Sequence, residues 1–290
     1  MNLNKLIKVL TERYKGNNEN VSLPAPYVVP LLAEPTQKQL KQLESGDGNP
    51  IAEMCYINSS AGLAFNYYKM YECEIQKKYK EFEINFEDKV AKPLRLKNNG
   101  GKYANLDVSF YLDGTQYYIE SKFLEPYYSK CKLNTCSYYN KDKQGSEVDY
   151  YRFSKEETAL WLELLGHEKY FQYFDFPQLY RHLLAIRRRH KKQGKVELRS
   201  VSWKMPDTFK KKYKEMYGLT EEDEKMPNTL DYERQKAEGL FKGFLNEIGW
   251  TDCHFEMKCY NEMLGDIAHS PKYREFCKQY FLDKEDGNEI

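Results

Sequence analysis

Long apolar runs are missing from this chain of 290 residues. No segment approaches the roughly 20 consecutive apolar residues that a membrane-spanning helix needs, which excludes a protein that crosses a bilayer by helices. The first 16 residues carry charges every few positions and lack the apolar block of a secretory signal, so we expect a cytoplasmic protein. Seven cysteines at irregular spacings then indicate reduced thiols and not a disulfide framework.

Signatures of several common enzyme classes are also absent from the sequence. There is no P-loop, no Rossmann glycine pattern and no GxSxG motif. The five histidines are scattered, and the pair Cys131 and Cys136 lacks the short paired spacing of a structural zinc site. Composition nevertheless predicts a folded chain, because 41% of the residues are apolar and 15% are aromatic. The length allows one large domain or two small ones.

Positive and negative charges nearly balance over the whole chain but are unevenly distributed. Residues 181–216 hold 13 Lys+Arg and 3 Asp+Glu, whereas residues 220–290 hold 9 and 17. A basic block of this size suggests a polyanionic partner such as nucleic acid. A solvated, lysine-rich helix face balanced by an acidic tail is the alternative interpretation.

Apolar periodicity and turn residues predict one mixed α/β domain with additional segments. The predicted helices cover residues 3–15, 51–80, 155–172, 176–192, 207–217 and 233–248. The predicted strands cover residues 82–96, 104–113, 115–124, 195–204 and 253–260.

The most informative segment is 104–126, with the sequence ANLDVSFYLDGTQYYIESKFLEP. Apolar and polar residues alternate along its first half, and Asp113-Gly114 separates this half from a second strand-like run. Asp-Gly between two such runs is a strong signal for a hairpin with a two-residue turn. The register of that hairpin predicts the apolar pairs Phe110 with Tyr117 and Val108 with Ile119.

The same register places Asp107 opposite Glu120 on the other face of the hairpin. Directly opposed residues have Cβ atoms about 4.5–5.5 Å apart, and like charges there are destabilising, so two carboxylates favour a cation between them. Their oxygen atoms suit a hard ion, Mg²⁺ or Mn²⁺, better than zinc. Lys122 lies two residues beyond Glu120 on the same face, where its ammonium group can stabilise a developing negative charge or orient a water.

These residues resemble the PD-(D/E)xK nuclease superfamily, which has the restriction-endonuclease-like fold. Its signature is an acidic residue on one strand followed by Glu/Asp-x-Lys on the next, here Asp107 and then Glu120-x-Lys122. The resemblance covers residues 50–205 and implies an α/β (α+β mixed sheet) class, in which a central mixed β-sheet is flanked by helices and carries helical and loop additions. It also implies that Asp107 and Glu120 bind Mg²⁺ and that Lys122 positions or activates the attacking water. An ordinary solvent-facing Asp/Glu/Lys surface on a hairpin is the alternative interpretation.

The resemblance also points to residues outside the hairpin. Many members of the superfamily have a glutamate on the helix before the strands, which makes Glu53 the candidate for a further metal ligand. A solvated first-turn glutamate is an equally good interpretation of Glu53. Glu83 and Glu87, on the first predicted strand, are the alternatives for this role. Leu106 stands where the superfamily often has a proline before the aspartate.

The helix that Pro177 is predicted to begin carries the candidate nucleic-acid contacts. Its Gln178, Arg181 and His182 share one face, and by resemblance helices at this place often direct a glutamine or a basic residue toward the site. A lone helical histidine more often makes a structural hydrogen bond than a catalytic one. Positive charge at the end of the helix would neutralise phosphates. Together with Gln178 and Arg181, the predicted nucleic-acid-binding residues are Arg187, Arg188, Arg189, Lys191 and Lys192.

These interpretations predict a nuclease-like core over residues 51–205, interrupted by an insertion at 125–155. An N-terminal helix and covering loop precede it at 1–50, and a C-terminal helical and strand extension at 206–290 packs on it.

The function predicted is a Mg²⁺- or Mn²⁺-dependent endonuclease that hydrolyses nucleic acid, DNA more than RNA, with no membrane partner. A homodimer agrees with this function, since double-strand cutting needs two active sites. Two alternatives stay open at this point. One is a nucleic-acid-binding protein that keeps the fold without cleaving, and the other is a metal-independent interaction protein whose binding does not respond to salt.

Overall fold

The computed structural model describes residues 1–17, 28–46, 50–91, 103–128, 171–191 and 193–282, together with residues 155, 156, 159 and 163. Two thirds of the predicted helix over 155–172 and most of the predicted insertion over 125–155 lie outside the described residues.

Within these limits the chain alternates helices with the strands of one sheet. The helices are α1 (Leu3–Asn17), α2 (Gln37–Glu44), α3 (Pro50–Glu53), α4 (Ser60–Gln76), α5 (Glu125–Tyr128), α6 (Phe176–His190), α7 (Asp207–Tyr217), α8 (Glu221–Glu247), α9 (Tyr260–Met263) and α10 (Tyr273–Gln279), with a 3₁₀ turn at Leu264–Ile267. The strands are β1 (Asn85–Lys89), β2 (Asn105–Leu112), β3 (Thr115–Lys122), β4 (Lys195–Ser202) and β5 (Cys253–Cys259). None of the described helices has the length and apolar character to span a bilayer.

The strands lie side by side in the order β1-β2-β3-β4-β5. The pairs β1–β2 and β2–β3 are antiparallel, whereas β3–β4 and β4–β5 are parallel. Parallel pairing of β3 with β4 requires a crossover, and α6 lies in that connection. The result is a mixed sheet flanked by helices, which confirms the predicted fold class.

The predicted hairpin between β2 and β3 is present with the predicted register. Asp113 and Gly114 both have positive φ values, 48° and 79°, as a tight hairpin turn of this kind requires. Glycine adopts such a conformation without a steric penalty, and aspartate tolerates it better than most residues. The register includes the pairs Phe110↔Tyr117 and Val108↔Ile119.

Different helices cover the two faces of the sheet at this hairpin. On one face α4 packs against β2, with the rings of Tyr71 and Phe110 centred 5.7 Å apart. On the other face α6 packs against β3, where the hydroxyl of Tyr118 lies 2.9 Å from Nε2 of His190. The carboxylates of the hairpin therefore share their face of the sheet with α6.

The C-terminal part of the chain completes the sheet. Strand β5 pairs with β4 from Val196 to Ser202, and α8 covers it, with the rings of Phe241 and Phe255 centred 4.7 Å apart. Directly after β4, the backbone N–H of Trp203 donates to the carbonyl oxygen of Lys122 at 2.8 Å. The indole N–H of Trp203 donates to the carbonyl oxygen of Tyr280 at 2.7 Å, which ties the end of β3 to the C-terminal helices.

The helix predicted over 51–80 is divided into α3 and α4. The break falls before Ser59, whose hydroxyl oxygen accepts a hydrogen bond from the N–H of Gly62 at 3.1 Å and so caps the start of α4. Serine in this position competes with continued helix, and the periodicity of apolar residues does not register that competition.

Helix α8 begins twelve residues before the helix predicted over 233–248. Thr220 and Asp223 form a capping box, and four acidic residues occupy the first turn, where the helix dipole favours negative charge. The prediction missed residues 221–232 of this helix, because its polar first turns and Pro227 reduce the apolar periodicity on which the prediction depends.

Gly62 allows a close approach between α4 and the preceding chain. A Cβ atom at this position would lie 2.1 Å from the carbonyl oxygen of Met54, which is backbone and cannot rotate away. We expect Gly62→Ala to lower the free energy of unfolding by about 1–3 kcal/mol, as overpacked core substitutions do. Urea unfolding measures the change.

Gly239 in α8 provides the matched control. Nothing lies within 4 Å of its Cβ position, so Gly239→Ala should gain about 0.5–1 kcal/mol from helix propensity. A Gly62→Ala protein as stable as wild type would contradict the contact with Met54.

Candidate active site

The open end of the hairpin, opposite the turn, brings together the acidic and basic residues of β2 and β3. Glu120 is almost fully buried, with 2% of its surface exposed. Its Oε1 lies 2.8 Å from Nζ of Lys122, and its Oε2 lies 2.9 Å from Nε2 of His182 on α6. A single carboxylate thus lies between a lysine of its own strand and a histidine of the helix packed above it.

Asp107 lies at the position that follows the last main-chain pair of β2 with β3. That pair is Val108↔Ile119, and one further step of the register brings Asp107 opposite Glu120. Here the Oδ2 of Asp107 accepts the backbone N–H of Ser121 at 2.6 Å. A side-chain hydrogen bond thereby holds Asp107 against the strand that carries Glu120.

The surroundings of the site shift the pKa values of its two carboxylates in opposite directions. Burial raises the pKa of Asp107 well above its usual range, and the negative charge of Glu120 raises it further. Burial also disfavours the charged form of Glu120, but Lys122 and His182 outweigh it and lower the pKa of Glu120 to about 2. For Lys122, the two carboxylates outweigh burial and raise the pKa of the ammonium group. Neighbouring opposite charges therefore stabilise the charged forms of Glu120 and Lys122, whereas the charged form of Asp107 is not stabilised in this way.

Asp107→Asn is expected to stabilise the fold at pH 7, because it removes a carboxyl group whose raised pKa disfavours ionisation in the folded chain. The loss of folding stability caused by this carboxyl group is greatest above the raised pKa. It disappears as the pH falls to about 4, where the carboxyl group of the unfolded chain also takes up a proton. We expect the melting temperature to rise by about 2 °C or more at pH 7 and to match wild type near pH 4. Thermal unfolding at both pH values measures this.

The control is Asp113→Asn in the hairpin turn, at the other end of the same strands. Asparagine tolerates the positive φ of this position and can still accept the hydroxyl hydrogen of Tyr79, as Asp113 does at 2.8 Å. Its melting temperature should equal that of wild type at both pH values. A lower melting temperature for Asp107→Asn at pH 7 would contradict the raised pKa.

Glu87 is a third carboxylate near Asp107. In β1 it lies between Phe86, which pairs with Val108, and Asp88, which pairs with Leu106, so it is at the level of Asp107. Its φ of 52° is unusual for a residue other than glycine inside a strand, and such backbone strain concentrates at functional sites. Its negative charge contributes to the raised pKa of Asp107.

The other two carboxylates considered as ligands occupy different surroundings. Glu53 is exposed at the end of α3 and is not part of α4, the helix that precedes the strands. Glu83 forms an ion pair with Lys38. The electrostatic contact with Asp107 favours Glu87 over Glu53 as a further ligand, although the sequence had favoured Glu53.

The donor set suits a hard divalent cation. Among the described residues there is no group of three or more His, Cys, Asp or Glu in a metal-binding arrangement. Mg²⁺ needs no such group, since it usually keeps several waters and binds one or two carboxylates together with substrate phosphates. A cation near Asp107 would also remove the repulsion that raises its pKa. The pair of Asp107 and Glu120 therefore fits Mg²⁺ or Mn²⁺.

A comparison with protein families identifies the group to which these features belong. The model of the REase-ARP family, described as restriction endonuclease associating with ARP, matches residues 8–198. The chain belongs to the REase-ARP family. No curated protein and no solved structure matches the chain.

Membership of the REase-ARP family confirms the restriction-endonuclease-like fold that the hairpin suggested and indicates a nuclease. The matched residues include the whole hairpin and α6, and they end within β4. Strand β5 and the helices around it lie beyond the REase-ARP match.

The predicted nucleic-acid contacts of this REase-ARP chain lie along α6. Gln178 is one helical turn before His182, at the end of α6 nearer the carboxylates. Arg189 contacts Asp88 at 3.2 Å, and exposed Lys191 ends the helix with a φ of 50°. Arg181, Arg187 and Arg188 are half-buried and have contacts within the fold, and Lys192 lies outside the described residues.

Sequence reasoning missed the contact between His182 and Glu120. The position of His182 four residues after Gln178 on one helical face was the available signal, and it could not show which strand residue that face meets. It also missed Glu125 at the start of α5. The Oε2 of Glu125 accepts the N–H of Phe123 at 2.8 Å, and its charge contributes to the raised pKa of Lys122.

Proposed function

We propose that this chain is a divalent-metal-dependent nuclease that hydrolyses phosphodiester bonds of DNA at the open end of the β2–β3 hairpin. The convergence of Asp107, Glu120 and Lys122 on one face of the sheet carries the proposal. Membership of the REase-ARP family supports it, since that family is described as a restriction endonuclease.

Asp107 and Glu120 would hold Mg²⁺ or Mn²⁺. When bound, the ion supplies a Lewis acid for the scissile phosphate and lowers the pKa of a bound water. The Nζ of Lys122 lies 2.8 Å from Oε1 of Glu120, and its ammonium group would orient the attacking water and stabilise the negative charge that develops on the phosphate. The chain thus would provide both the binding oxygens and a positive charge.

DNA is the proposed substrate because of the positive charge on α6 and α7. Residues 181–216 hold 13 Lys+Arg and 3 Asp+Glu, and the last turn of α6 contains Arg187, Arg188 and Arg189. Basic side chains neutralise phosphates, so binding should weaken steeply as salt increases. Two copies of the chain would be needed to cut both strands together, and ARP, named in the family description, is a proposed associate.

The test is incubation of the purified protein with supercoiled plasmid and with single-stranded DNA, in Mg²⁺, Mn²⁺ or EDTA. We expect cleavage with either metal ion and none with EDTA. Asp107→Asn should abolish cleavage, whereas Asp113→Asn should cleave as wild type does. If wild type binds DNA in a salt-sensitive way but cleaves neither substrate, the protein is a nucleic-acid-binding module and the nuclease proposal fails.

A further inference from the structure

His182 is a buried side chain with unused hydrogen-bonding capacity. Only 2% of its surface is exposed, and its neighbours Leu183, Leu184 and Ile186 are buried aliphatic residues. Nε2 is 2.9 Å from Oε2 of Glu120, but the pair lacks the alignment of a full hydrogen bond. Within the part of the chain that the structure describes, neither ring nitrogen has an aligned hydrogen bond.

A buried polar group without an aligned partner is destabilising, because it loses its hydrogen bonds to water and gains none in the protein. A residue that served only to pack α6 against the sheet would be aliphatic, as its neighbours are. Buried groups of this kind call for a functional explanation. For His182 that explanation is its contact with Glu120.

The two oxygens of Glu120 differ in how firmly their partners are held. Oε1 contacts Lys122, whose long side chain is 26% exposed and can turn toward solvent. Oε2 contacts His182, which has two side-chain torsions and is enclosed by the packing of α6. A cation that competes for Glu120 therefore displaces Lys122 from Oε1 more readily than it displaces His182 from Oε2.

We propose that His182 is a positioning residue, which holds Oε2 of Glu120 through its Nε2–H so that Oε1 faces the divalent ion and Lys122 turns toward the substrate. The proposal rests on the proposed function, and it deepens it by assigning a different role to each oxygen of Glu120. Partners that orient a metal-binding side chain in this way typically change metal affinity or activity by about 10- to 100-fold when removed.

The test measures Mn²⁺ binding in the absence of DNA, from the electron paramagnetic resonance signal of free Mn²⁺. We expect His182→Leu to weaken Mn²⁺ binding about 10-fold or more. His182→Gln should bind close to wild type, because its amide N–H can take the place of Nε2–H. His190→Gln, on the same helix and in contact with Tyr118, should not change the affinity.

Cleavage supplies a second measurement. With His182→Leu, the Mg²⁺ concentration for half-maximal rate should rise about 10-fold, and the KM for DNA should stay unchanged. A histidine that only packed the helix would leave the Mn²⁺ affinity of folded protein unaltered. Equal or tighter Mn²⁺ binding by folded His182→Leu therefore overturns the proposal.

A further comparison applies if His182→Leu does not fold. His182→Asn has the same amide as His182→Gln but is one methylene shorter, so it should lose the Mn²⁺ affinity that His182→Gln retains. Equal affinities of the two variants would overturn the proposal. If the wild-type protein neither binds Mn²⁺ nor cleaves DNA, the proposed function fails as well. If the wild-type protein does both and every His182 variant behaves like it, only the proposal for His182 fails.

Discussion

Replacing Glu120 with glutamine is expected to reduce metal-dependent DNA cleavage by about 10³-fold or more and to leave DNA binding intact. The substitution removes the charge of the carboxylate that lies between Lys122 and His182. Charge stabilisation by a bound metal ion contributes several kcal/mol to such reactions, and about 4 kcal/mol corresponds to a factor of 10³ in rate. The amide oxygen of glutamine can still accept a hydrogen bond from Lys122, so the fold should be kept.

Initial rates of plasmid nicking in Mg²⁺ measure the activity of Glu120→Gln, and fluorescence anisotropy with labelled DNA in EDTA measures its binding. Glu83→Gln is the control, since Glu83 is an exposed residue paired with Lys38. It should cleave at the wild-type rate. A Glu120→Gln protein that retains more than a tenth of the wild-type rate would show that the carboxylate is dispensable, and the proposed site would be wrong.

The largest expected effect on stability comes from Trp203→Ala. Trp203 is fully buried and its ring contacts those of Phe123, Tyr127 and Phe209, with centroids 5.1, 5.7 and 5.2 Å away. Removal of a buried tryptophan side chain lowers the free energy of unfolding by about 3–5 kcal/mol. The carbonyl oxygen of Tyr280 also loses its indole donor. A loss of this size is a large part of the 5–15 kcal/mol that typically holds a domain together.

Thermal unfolding should show a decrease of about 10 °C for Trp203→Ala. Tyr232→Ala removes an aromatic ring that is 53% exposed, and its effect should stay within about 0.5 kcal/mol. Since the ring of Trp203 packs on Phe123, which directly follows Lys122, the variant should also cleave DNA less well below its melting temperature. A melting temperature within 2 °C of wild type would contradict the packing role of Trp203.

The hairpin could be predicted because its information is local. Asp113-Gly114 requires a turn, and the alternation around Phe110 and Tyr117 sets the register with which the two strands meet. Once that register is fixed, the opposition of Asp107 and Glu120 follows from the two-residue period of a strand. The centre of the candidate site was therefore accessible from about 20 consecutive residues.

The surroundings of the hairpin could not be predicted in the same way. His182 is distant in sequence from Glu120, and only the packing of α6 on the sheet decides which of its residues meets that carboxylate. The positive φ of Glu87 is equally hidden, because glutamate has no local preference for that conformation. The start of α8 was missed for a different reason, since its capping residues precede the apolar pattern by several turns.

The position of β5 limits how the chain can be shortened. The residues matched by the family model end within β4, before the sequence of β5, the strand that pairs with β4. A fragment that stopped there would leave β4 as an unprotected edge, and such edges recruit other strands and aggregate. We therefore expect the smallest unit that folds to extend beyond the matched residues, and during synthesis the sheet cannot be completed before the chain has been made past residue 259.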